Sequence, residues 1–149
     1  MTTTFRPAAA ADAQKIKDLI HRVHLNPTNL DWERFIVAEE EGKFVGCVQL
    51  KPHRDGAKEL ASLAVVPERQ NAGIGSMLVR ALLERHPGEL YLMCRSVLAP
   101  YYRRFGFEEI GLEDMPRSFK ILYRAARLFT ALVPRERLSI MRRKEGAET

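Results

Sequence analysis

Apolar positions along the chain alternate between two periods, and each change of period marks an element. Phe5 to Ala8 reads as a short opening strand. Ala13, Ile16, Leu19, Ile20 and Val23 recur at helical spacing on one face, with Asp12 placed to cap the start. Asn26-Pro27 and Asn29 make Leu25 to Asp31 a loop. Arg34 to Glu39 and Phe44 to Leu50 are strand-like and are joined by Glu41-Gly42-Lys43, a hairpin signal. Pro52 to Gly56 forms a second turn. Glu59 to Val66 is a third consecutive strand, apolar on both faces and therefore expected at the centre of a sheet. Pro67 ends it, and a helix follows from Gly73 to Arg85 with Ile74, Leu78, Ala81 and Leu82 as its buried stripe. His86-Pro87-Gly88 stops this helix. Leu90 to Cys94 then reads as a parallel strand reached by a crossover. Leu98 to Phe105 is a short helix and Phe107 to Ile110 another strand. Arg117 to Val133 is an amphipathic helix closed by Pro134. Phe119, Leu122, Ala126, Phe129 and Val133 line one face, and Arg117, Lys120, Arg124 and Arg127 the other. Leu138 to Met141 is the last strand. The class is mixed α/β, with a largely antiparallel first half and one βαβ unit.

Composition narrows the class without naming a chemistry. The 149 residues are 46% apolar and 29% charged, which excludes disorder, collagen and coiled coil for the whole chain. With no repeat or linker, one domain over residues 3–144 and a tail at 145–149 is expected. No stretch reaches the roughly 20 apolar residues of a membrane span. The start, Met-Thr-Thr-Thr-Phe-Arg-Pro, lacks the apolar centre of a signal peptide, so a cytoplasmic location is expected. Cys47 and Cys94 each sit in an apolar run and read as buried thiols, not a disulfide. The net charge of +5 is uneven: residues 1–94 carry 12 Lys+Arg against 12 Asp+Glu, and residues 95–149 carry 12 against 7. The positive C-terminal third favours anionic ligands, acidic surfaces or nucleic acid without choosing among them.

The informative stretch is Glu59 to Arg85, a strand running through a glycine-bearing turn directly into a helix. The first helical N–H groups have no partner within the helix, and the helix dipole adds partial positive charge there. Gly73 and Gly75 leave room for a phosphate to approach the backbone. A Walker A loop would need Gly-Lys-Ser/Thr, but Gly75 is followed by Ser76 and Met77. A dinucleotide fingerprint would need a third glycine where Leu78 stands. What remains is Gln70-Asn71-Ala72-Gly73-Ile74-Gly75, of the form Q/R-x-x-G-x-G/A.

This segment resembles the coenzyme A pyrophosphate loop of the GNAT superfamily of acyl-CoA-dependent N-acetyltransferases. The preceding Leu63-Ala64-Val65-Val66-Pro67 is similar to that family's L-x-V-x-P. Tyr101-Tyr102-Arg103-Arg104-Phe105-Gly106-Phe107 resembles its F-Y-x-x-x-G-F. The order of elements matches as well, from about residue 3 to 143. The resemblance implies a mostly antiparallel, twisted sheet splayed around a central βαβ unit, with the amphipathic helix before the last strand as an addition. It implies direct acetyl transfer from acetyl-CoA in a ternary complex. The pyrophosphate would lie on Gln70, Asn71, Ala72, Gly73, Ile74, Gly75 and Ser76. The pantetheine arm would pair with the backbone of Leu63 and Val65, where an N–H would also stabilise the thioester oxygen.

An attacking amine must be neutral, so a base is useful. Glu59, at the start of the central strand, takes the offset of some members' base glutamate; paired with Lys58 or solvated, it would be merely a strand-end residue. Tyr102 takes the position of the family's tyrosine acid, for the departing thiolate, with Tyr101 as competitor. His21, His24, His53 and His86 are expected in solvated or capping roles, His53 within a turn. Cys94 ends its strand beside the expected thioester; a core thiol is preferred over a covalent acetyl-cysteine. Ser96 stands near where the family often has asparagine. No metal-ligand spacing appears, and no metal is expected. The acceptor is expected to be a small-molecule amine or an amino acid. Peptide or protein acetylation and a non-catalytic acyl-CoA-binding module are the alternatives. Nucleic acid is not expected, because the basic face lacks interleaved aromatics. Membrane-surface binding is set aside because no bulky apolar residue is expected outside the helix's core face. The resemblance leaves a homodimer open.

Overall fold

The computed structural model describes residues 2–130 and 137–147, the side chains of Phe129 and Thr130 excepted. The chain gathers into two compact units, one of Met1–Lys51 with Leu60–His86 and one of Pro52–Glu59 with Pro87–Thr149.

The first unit contains β1 (Thr3–Pro7), α1 (Ala13–Arg22), β2 (Phe35–Glu40), β3 (Lys43–Pro52), most of β4 (Lys58–Val65) and α2 (Ile74–Arg85). β2 and β3 pair antiparallel through a two-residue turn, with Glu40 opposite Lys43. Glu41 and Gly42 both have positive φ, 50° and 77°, the backbone that matches the twist of a tight hairpin. The two strands read as almost continuous apolar runs because helices cover both of their faces. On one face Ile16, Leu19 and Ile20 of α1 bury against Phe35, Val37, Cys47 and Ala64. On the other, Leu78 of α2 comes so close to Gly46 that a Cβ there would lie 3.0 Å from its Cδ1 and 2.9 Å from the Ala64 carbonyl oxygen. Only glycine fits, so a gap in the apolar pattern is where the helix sits closest.

The second unit contains the start of β4, then β5 (Leu90–Arg95), α3 (Ala99–Arg103), β6 (Glu108–Glu109), α4 (Arg117–Thr130) and β7 (Leu138–Arg143). β5 and β7 pair antiparallel from Leu90 opposite Arg143 to Arg95 opposite Leu138, and β6 adds to β7. β4 joins β5 in parallel with Glu59 opposite Tyr91. Strand by strand the order is β1-β2-β3-β4-β5-β7-β6, the mixed, mostly antiparallel sheet expected.

α4 is a helix where the periodicity predicts one, but its buried face is rotated from the predicted one. Phe119 is fully buried in a cluster with Tyr91, Met115 and Ile140, and Tyr123 packs against that cluster. Leu122 is 38% exposed, and Ile121 and Leu128 more so at 60% and 76%. The expectation that bulky apolar side chains would be confined to the core face is therefore wrong. Val133 and Pro134, and the side chain of Phe129, lie outside the described residues. Arg117, Arg124 and Arg127 are exposed, as the pattern requires, whereas Lys120 is half-buried.

Candidate functional site

In the first unit β4 delivers the chain into a short turn at Pro67–Arg69 and then into α2. Val66 N–H donates to the Val45 carbonyl at 2.9 Å, fixing the strand end. The Gln70 side-chain amide donates to the Val65 carbonyl at 3.1 Å, fixing the start of the turn. Asn71 and Gly73 both adopt left-handed backbone, with φ of 65° and 85°. Gly73 is the N-cap of α2, and no side chain caps the helix. The first backbone bond into the helix runs from Met77 N–H to the Gly73 carbonyl at 3.1 Å. The amides of Ile74 and Gly75 come before it and have no partner among the described residues, as is general for a first helical turn. Space around Gly73 is open: nothing lies within 4 Å of where its Cβ would be. Uncapped amides, a positive helix end and an open approach together suit a phosphate. Leu63 and Val65 lie half-buried on β4.

The second unit carries the residues expected to handle protons. Tyr102 in α3 is 8% exposed. Its ring meets Tyr101 edge-on at 5.1 Å and Phe107 at 6.2 Å. Its hydroxyl makes no hydrogen bond among the described residues. Burial, with small contributions from Tyr101 and Cys94, pushes the phenol above its ordinary range, so the group is neutral at any physiological pH. Burial, then the nearby Glu109, pushes the Cys94 thiol up to about 11, and burial pushes Cys47 up to about 12. Both are free and buried, as expected. Ser96 faces β7 and shares a 2.8 Å bond with Ser139, whose hydroxyl donates to Glu109 at 3.1 Å. Arg103 closes this chain of contacts on Glu109.

Glu59 is buried beside a partner that sequence reasoning missed. His53 Nε2 lies 2.8 Å from Glu59 Oε1, with the two side chains 8% and 10% exposed. The expected solvated or capping role for His53 is thus corrected: the turn carries the ring inward, under Phe119 of α4 at 4.7 Å between ring centroids. A signal was present, since the hairpin returns the chain to Glu59 only six positions after His53. His21 and His24 are exposed, and His86 caps the end of α2 through its backbone N–H. Among the described residues no three His, Cys, Asp or Glu cluster to hold a metal, and no helix is long and apolar enough to cross a membrane.

Residues 31–109 match the family model described as an acetyltransferase (GNAT) domain. An amino-acid acetyltransferase of Pseudomonas paraeruginosa is 34% identical over 95 residues, covering 61% of this chain and 22% of that protein. This chain therefore spans about a fifth of the length of the curated relatives it matches. N-acetylglutamate synthase from Neisseria gonorrhoeae, solved with coenzyme A and N-acetyl-glutamate, superposes with a TM-score of 0.77 at 21% identity, over 97% of this chain and 35% of that one. The ribosomal-protein-S18-alanine N-acetyltransferase of Escherichia coli superposes with a TM-score of 0.70 at 19% identity, over 99% and 97%.

Proposed function

The chain belongs to the GNAT acetyltransferase domain family, and from that premise we propose that it transfers an acetyl group from acetyl-CoA to the primary amine of a small acceptor, an amino acid by preference. The observation that carries this reading is the uncapped start of α2, with left-handed Gly73 and the amides of Ile74 and Gly75 unpartnered among the described residues. Residues Gln70 to Ser76 would hold the pyrophosphate, and the backbone of Leu63 and Val65 the pantetheine arm. The Val65 carbonyl already accepts from Gln70, but it has a second lone pair to offer.

Amino acids arrive with an ammonium group that cannot attack a carbonyl. Glu59 removes the proton, directly or through a water, and the neutral amine attacks the thioester. Tyr102 donates to the departing sulfur. An ordinary phenol lies about 1.5 pKa units above a thiol, so this donation is uphill by about 2 kcal/mol in water, and the burial of Tyr102 makes it harder still. It therefore has to accompany C–S cleavage, when the sulfur is most basic. A covalent acetyl-cysteine route has little support, because a thiol held near 11 offers almost no thiolate at neutral pH. The preference for amino acids is supported by the relatives named amino-acid acetyltransferases and by the positive C-terminal third.

The test is thiol release from acetyl-CoA with a panel of free amino acids, their amides, a peptide with a free N-terminus, and polyamines. Release with amino acids above the other acceptors is expected. Best activity on the peptide would move the chain to the protein acetyltransferases. Tight acetyl-CoA binding with no release for any acceptor would make it a binding module.

A further inference from the structure

We infer that His53 is a positioning residue for the Glu59 carboxylate, and that the first turn of α4 holds His53 in that role. The inference rests on the reading of Glu59 as base. An ionised carboxylate only accepts hydrogen bonds, so the 2.8 Å contact with Oε1 requires the proton on Nε2 of His53. The terminal torsion of a glutamate has no sharp rotamer preference. A single donor on Oε1 supplies what the torsion lacks: it fixes the plane of the carboxylate and leaves Oε2 to receive a proton.

The imidazole is itself held from two sides. His53 N–H donates to the Ala57 carbonyl at 2.8 Å, and Gly56 N–H to the His53 carbonyl at 3.1 Å, closing the turn. Asp55 in that turn accepts from Ala57 N–H at 3.1 Å and from Ser118 N–H at 2.9 Å. One carboxylate thus braces the turn and caps the start of α4. The next residue, Phe119, lies over the His53 ring and also meets Tyr91 at 5.4 Å. Tyr91 stands opposite Glu59 in the β4–β5 pair. The contacts form a closed circuit, Glu59 to His53 to Phe119 to Tyr91 and back, with both ionisable ends away from water. A surface histidine paired with a surface glutamate would need none of this enclosure.

His53→Phe keeps a ring against Phe119 and removes the donor. His53→Gln places an amide nitrogen near the Nε2 position, and His53→Asn, one methylene shorter, does not. In His53→Phe, kcat is expected to fall about tenfold or more with KM for acetyl-CoA unchanged. His53→Gln should recover most of that loss and His53→Asn should not. In a Glu59→Gln background, adding His53→Phe should cost nothing further. Wild-type kcat in His53→Phe while Glu59→Gln is crippled would overturn the positioning role and leave the base in place. Full activity in Glu59→Gln would overturn the base reading, and this inference with it. Equal loss in the Gln and Asn variants would mark the effect as structural and also overturn it. Melting curves accompany each variant; if His53→Phe does not fold, the Gln and Asn pair decides.

Discussion

A buried carboxylate is useful only where its charge is answered, and the chain does this in two ways. Asp12 is 3% exposed and receives two bonds from Arg6, at 2.7 and 3.0 Å, and one from Ala9 N–H at 2.7 Å. The Arg6 bonds, opposed by burial and helped by the Ala9 amide, hold its pKa below the ordinary value. A carboxyl lowered on folding adds stability above its unfolded pKa of about 3.9, and that stability is lost as pH falls through the folded value. Asp12→Asn is therefore expected to cost about 1.5–3 kcal/mol at pH 7. It should also flatten the loss of stability below pH 4, measured by urea titration at each pH; an equal acid loss in both proteins would place the effect elsewhere. Glu59 instead has a histidine, His53, 2.8 Å from its Oε1. Tyr102 stands apart from both: among the described residues its hydroxyl makes no hydrogen bond, and burial keeps it neutral. Tyr102→Phe should lower kcat by roughly 10- to 10³-fold with acetyl-CoA affinity nearly intact, checked by steady-state kinetics beside calorimetry. Glu59 and Tyr102 were legible as candidates because each sits at a fixed offset from a recognisable motif. His53 was not, because its burial depends on Phe119, a residue far along the chain that no local pattern connects to it.

Elements were more legible than their faces. Every strand and helix read from the periodicity is present, with ends shifted by a few residues wherever both ends fall among the described residues. α4 shows why the faces are harder. Phe119 and Ala126 belong to two overlapping apolar stripes, one completed by Leu122 and one by Tyr123, and helical spacing permits both. Packing against Met115, Tyr91 and Ile140 selects the second, leaving Leu122 exposed. The start of α2 was legible because its turn rests on backbone demands, not on a choice of face. Gly73 must be left-handed; Gly75 is helical and half-buried and can carry a side chain without backbone strain. Gly75→Glu thus puts bulk and a negative charge at the helix end while sparing the turn. Acetyl-CoA affinity should fall at least tenfold by calorimetry, with a melting temperature close to that of the wild type. Unchanged affinity would remove the pyrophosphate from this turn.

At the scale of the whole molecule, charge acts at distances where no contact is made. The excess of +5 comes entirely from residues 95–149, and α4 contributes Arg117, Lys120, Arg124 and Arg127 to it. Arg127 is engaged, lying over the Tyr123 ring at 5.9 Å; Arg117 and Arg124 are exposed about two turns apart on the same side. Such charges add little as individual pairs, about 0–1 kcal/mol each, but together they raise the local concentration of anions and the rate of encounter. We propose that this field favours acceptors bearing a carboxylate. Arg117→Glu with Arg124→Glu lowers the charge by two at each site, taking +5 to +1. For an acceptor of net negative charge, such as an amino acid with a second carboxylate, kcat/KM should then fall several-fold at low salt. For the amide of the same amino acid, which carries no net negative charge, it should hold or rise. The gap between the two should narrow as ionic strength rises and the Debye length shrinks toward about 3 Å at 1 M. Acetyl-CoA is itself anionic, so each acceptor is compared at saturating acetyl-CoA, where loss of cofactor encounter no longer limits the rate. If acid and amide respond equally under that condition, or if the difference survives high salt, long-range attraction is not what selects the acceptor, and selectivity must come from direct contacts.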